Sequence, residues 1–78
     1  MDTRLKATIA AVLNVPVAAI SDDASPETIP AWDSLKQMNI MLAVEDEFGI
    51  RFDDGQIANL TSYLQIRQAL TAVGIGPS

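Results

Sequence analysis

Among the 78 residues there is no cysteine and no histidine. A thiolate nucleophile, an imidazole base and the usual zinc sites therefore have no residues to form them. Hydroxyls and carboxylates remain. Ser34 is the most informative of these, because Asp33-Ser34 opens a segment of helical periodicity and Gln37 follows three residues later, the spacing of a capping box. That spacing puts Ser34 at a helix N-terminus, where unpaired N–H groups and the positive end of the helix dipole favour an anion. A serine there has two readings: a cap, worth about 1 kcal/mol over alanine, or a hydroxyl that carries a phosphate diester. No histidine exists and no lysine is placed to deprotonate it, so any modification is the work of another enzyme. The acidic run Asp53-Asp54-Gly55 fails as a calcium loop, since glycine at the sixth position would make Ile50 the first ligand. No catalytic and no metal-ligating residue is expected, nor is a self-sufficient enzyme.

The elements that position Ser34 follow from periodicity. Leu5, Ile9, Val12 and Leu13 mark one face of a helix over about 3–14. Val15-Pro16 stops it, and a long loop from Asn14 to Asp33 carries Pro16, Pro26 and Pro30, with Ile20 and Ile29 pinning it to the core. The second helix spans 34–48. Leu35, Met38, Ile40, Met41, Leu42, Val44 and Phe48 give it a broad apolar side, and Lys36, Asn39, Ala43, Asp46 and Glu47 fill an arc of roughly 100°. It is expected to be buried on most of its girth, with Glu45, Asp46 and Glu47 solvated. Gly49 ends it, and Ile50-Arg51-Phe52 is extended. Asp53 with Gln56 caps a short helix over 54–59 that buries Ile57 and Leu60. Ser62 with Gln65 opens a last helix over 62–73, with Tyr63, Ile66, Leu70 and Val73 on one face and Gly74 at its C-cap. Gly76-Pro77-Ser78 is expected to fray. The expectation is one all-α domain over 1–78, a small antiparallel four-helix bundle.

Hydrophobic residues make up 49%, enough to fold a chain of net charge −5. That charge argues against a nucleic-acid partner. The longest apolar run, Ile40 to Val44, cannot span a bilayer, and the N-terminus lacks a signal-peptide stretch, so a cytoplasmic protein is expected. Trp32 either packs just before the helix or lies exposed beside it.

Trp32-Asp33-Ser34-Leu35, followed by Glu45-Asp46-Glu47-Phe48-Gly49-Ile50 at the end of the same helix, resembles the acyl carrier proteins and their peptidyl and polyketide relatives. The resemblance covers roughly Thr3 to Val73. It implies that Ser34 is the attachment point of 4′-phosphopantetheine, donated by coenzyme A through a separate phosphopantetheinyl transferase. The arm's thiol would then hold an acyl or aminoacyl group as a thioester, so the sulfur arrives on the prosthetic group. It further implies that Asp33 helps the transferase recognise the site, and that Leu35 serves both core and contact. Lys36, Asn39, Asp46 and Glu47 would face acyl- or aminoacyl-loading and processing enzymes, which a monomer visits in turn. Lys36 and Asn39 stand where fatty-acid carriers favour acidic residues, which points to a specialised polyketide, nonribosomal peptide or lipid pathway. The core residues Met38, Met41, Leu42, Ile57 and Leu60 either pack closely or part around an acyl chain. The alternative to a carrier is a small acidic helical adaptor that binds a partner protein without a prosthetic group, with Ser34 only a cap.

Overall fold

Each of the three longer helices stops in the same way, and those stops define the bundle. The computed structural model describes residues 2–75. Helix α1 spans Asp2–Leu13, α2 Ser34–Phe48, α3 Asp54–Asn59 and α4 Tyr63–Ala72, with one 3₁₀ turn at Val17–Ala19. After α1, α2 and α4 the chain turns left-handed at Asn14, Gly49 and Gly74, with φ of 57°, 67° and 93°. The next residue in each case is apolar, and its N–H reaches the carbonyl five residues back. These bonds are Val15 to Ala10 at 3.1 Å, Ile50 to Glu45 at 3.1 Å and Ile75 to Leu70 at 3.0 Å. This is the Schellman arrangement, which satisfies orphan carbonyls and turns the following apolar side chain onto the core. Val15, Ile50 and Ile75 all pack against that core.

The core is aliphatic with two aromatics at its centre. Leu5, Ile9, Ala10 and Leu13 of α1, Ile40, Met41 and Val44 of α2, and Tyr63, Ile66 and Leu70 of α4 are buried. The long first connection takes part through Ile20, Ala24, Ile29 and Trp32. Its middle is tied to α4, because the Tyr63 N–H donates to the Ala24 carbonyl at 2.9 Å. The architecture is all-helical, and no strand occurs among the described residues. No helix among them is long and apolar enough to cross a membrane.

Several expectations are corrected here. Val73 is 55% exposed and is itself the C-cap of α4, so the buried face of that helix ends at Leu70. Ile57 and Leu60 are half-buried, and α3 has no fully buried residue. Gln65 accepts from the Thr61 N–H rather than from Ser62's, so the Ser62 cap lacks the reciprocal half of a box. At Asp53 and Gln56 both halves are present. Gly76-Pro77-Ser78 lies outside the described residues.

Candidate functional site

The start of α2 is capped by Asp33, not by Ser34. Asp33 is extended, with φ −107° and ψ −173°, and its Oδ1 accepts the Lys36 N–H at 2.8 Å. Its carbonyl accepts the first helical bond, from the Gln37 N–H at 2.8 Å. Ser34 is therefore the first residue of the helix proper, exposed, with its hydroxyl outside the cap. The expected Ser34–Gln37 box does not form because Gln37 turns inward.

Gln37 is 8% exposed, and its side-chain amide is a hub. Its Oε1 accepts the Trp32 indole N–H at 2.8 Å. Its Nε2 donates to the carbonyls of Ile57 at 2.9 Å and Leu60 at 2.8 Å. Trp32 is thereby settled as a core residue, 2% exposed, directly before the cap. Between α2 and α3, beside Ser34, lies an open groove of about 660 Å³. Trp32, Met38, Ile57 and Ala58 give it apolar walls, and Asp33 and Asp54 line it with carboxylates. No lysine or arginine among the described residues lines it, and the carboxylate next in sequence to Ser34, that of Asp33, is engaged by the Lys36 N–H as the helix cap.

The acidic run at the far end of α2 divides three ways. Glu45, expected in solvent, is 8% exposed, and its Oε2 accepts the Phe52 N–H at 2.7 Å, which fixes the link to α3. Glu47 is held by Arg4, whose Nε and Nη2 reach Oε2 at 3.1 and 2.9 Å. The same Nη2 donates to the Glu47 carbonyl at 2.9 Å, and the guanidinium lies 4.7 Å from the centre of the Phe48 ring. A cation there offsets both the carboxylates and the negative end of the helix dipole. Only Asp46 remains exposed without such an engagement.

The outer face of α2 differs from the expected narrow polar arc. Leu35, Met38 and Leu42 are 68%, 53% and 49% exposed. Leu35 is thus a surface residue and not part of the core. Asn39 and Asp46 share that face, while Lys36 is half-buried on its flank. The site therefore brings Ser34, Asp33, Leu35 and Asn39 to one end of an exposed strip and Asp46 to the other, and it sets Glu47 aside. Gln37 and Glu45 escaped the sequence reading, although the helical wheel held a signal. Gln37 falls between Ile40, Val44 and Phe48 in the middle of the apolar side, where a polar group must find partners.

The class of protein is shown by its relatives. The family model for the phosphopantetheine attachment site matches residues 3–70. Polyketide-8 synthase acyl carrier protein 2 of Streptomyces avermitilis is 30% identical over 69 residues, which covers 88% of this chain and 79% of that protein. The chain belongs to the acyl carrier protein family and is a phosphopantetheine-binding carrier domain.

Proposed function

We propose that Ser34 holds the 4′-phosphopantetheine arm and that the chain carries acyl or aminoacyl thioesters between enzymes of a specialised pathway. The observation that carries this is the exposed Ser34 hydroxyl at the first position of α2, left out of the cap by Asp33. The residues present suit such a group: an exposed serine, the positive end of a fifteen-residue helix, and an adjoining groove with apolar walls. When bound, the arm supplies the thiol that a chain without cysteine lacks. Asp33 fixes the orientation of the first turn, and Gln37 and Trp32 support it from beneath. The name of the Streptomyces relative favours a polyketide-type pathway over housekeeping fatty-acid synthesis, as do Lys36 and Asn39 near the serine.

Phosphopantetheinyl transferase and the loading and processing enzymes meet the exposed strip of α2. Leu35, Met38 and Leu42 provide its apolar centre, Asn39 and Asp46 its polar contacts and Lys36 its flank, with Glu47 a lesser contributor because Arg4 neutralises it. A cytoplasmic monomer suits a carrier that visits several active sites. The test is a thiol titration of the chain after incubation with coenzyme A, magnesium and a broad-specificity transferase. One thiol per chain is expected for wild type and none for Ser34→Ala. A wild type that stays free of thiol beside a labelled control carrier would overturn the reading in favour of a protein-binding adaptor.

A further inference from the structure

We infer that Gln37 is a positioning residue, whose buried amide clamps α3 against the Ser34 end of α2 and holds Trp32 in the same cluster. Helix α3 has six residues and contributes no fully buried side chain. A helix so short does not persist alone, and the carbonyls of its last turn have no partner within it. Gln37 supplies one such partner at Ile57 and bonds the carbonyl of the C-cap residue Leu60 as well, both from a neighbouring helix. Its remaining polar atom takes the Trp32 indole N–H. All its donors are thus spent on bonds that cross between elements, and no buried side-chain polar atom among the described residues lacks a partner. Ile57 and Ala58 of α3 and Trp32 are walls of the groove beside Ser34, so the same amide sets the spacing of those walls. Asp53 and Gln56 fix only the other end of α3. Without Gln37, the tertiary ties at the C-terminal end of α3 reduce to the partial burial of Ile57 and Leu60 and the Thr61 N–H bond to Gln65 Oε1.

The clamp is tested on the full unmodified chain by hydrogen exchange, which needs no assumption about Ser34. Gln37→Glu keeps an acceptor for the Trp32 indole but removes both donors to α3. Gln37→Met keeps the volume and removes everything polar. In both variants the amides of residues 57–60 are expected to exchange about tenfold faster or more, as two lost hydrogen bonds require. Amides of α1 and α4 should stay within twofold of wild type. The emission of Trp32, the one tryptophan, should shift in Gln37→Met and hold in Gln37→Glu. Protection of 57–60 within twofold of wild type in the folded variants, or an even loss over all four helices, would overturn the clamp. If Gln37→Glu does not fold, Gln37→Met decides alone.

The consequence for the site rests on the proposed role of Ser34. Transferase acting on Gln37→Met should show KM raised threefold or more with kcat unchanged, because the partner must then order α3 as it docks. An unchanged KM would break the link between Gln37 and the site. Failure of the wild type to be modified at all would instead refute the role of Ser34 and leave the exchange result standing.

Discussion

A helix cap and an acceptor of a large covalent group make opposite demands on a side chain. The cap must fold its oxygen back onto the first turn, whereas the acceptor must turn its oxygen outward. Asp33 meets the first demand, which leaves Ser34 free for the second in the role proposed for it. Asp33→Ala is accordingly expected to lower stability by about 1 kcal/mol, and Ser34→Ala to change it by less than about 0.5 kcal/mol, both read from urea unfolding. The reverse order would return the cap to Ser34. The place of Ser34 at the start of an apolar helix was legible from the spacing. The identity of the cap was not, because Ser34 and Gln37 match the box spacing while Asp33 has Lys36 at the corresponding position. What breaks the match is tertiary: the buried Trp32 indole and the carbonyls of α3 draw the Gln37 amide inward. A local pattern lost to three partners, two of them more than 15 residues away in the chain.

The helices themselves follow from periodicity and punctuation, since apolar stripes and the left-handed stops at Gly49 and Gly74 are local signals. How far each stripe is covered is not local. Helix α2 is about 22 Å long and α3 about 9 Å at 1.5 Å per residue, so α3 screens only a fraction of the side that the wheel marks as apolar. Leu35, Met38 and Leu42 remain outside it. Replacing Leu35 by alanine is expected to shift the melting temperature by only a few degrees, and Met38 or Leu42, each about half covered, by roughly 4–8 °C, since on the order of 1 kcal/mol of burial is lost. The same variants should slow arm transfer to Ser34 several-fold. Glu47→Gln should alter transfer by less than twofold, because Arg4 already holds that carboxylate. A larger effect of the acidic substitution than of the apolar ones would show that charge, not the apolar strip, governs docking.

Across the whole molecule, ion pairs tie α1 to the other parts of the bundle. Arg67 of α4 holds Asp2 at the start of α1 at 2.8 Å, and Lys6 holds Asp22 of the long connection at 2.9 Å. Lys6 also lies 5.1 Å from the centre of the Tyr63 ring. The hydrogen bond from Arg67 keeps the Asp2 carboxyl below its ordinary value of 3.8. A carboxyl with a folded pKa below its unfolded one stabilises above the unfolded value, and that contribution fades as pH falls through the folded one. Wild type should thus exceed Asp2→Asn in urea midpoint at pH 7, by a small margin for so exposed a pair. The difference should close as the pH falls below about 4. A gap that persists at pH 2 would assign it to packing instead.

The central claim is that this molecule is a scaffold for one covalent arm on Ser34, and intact-mass spectrometry tests it most directly. Wild type and Ser34→Ala are incubated side by side with coenzyme A, magnesium and a broad-specificity phosphopantetheinyl transferase. A single phosphopantetheine increment on wild type, absent from Ser34→Ala, is the predicted result. An increment that survives in Ser34→Ala, or a folded wild type of unchanged mass beside a labelled control carrier, would contradict it.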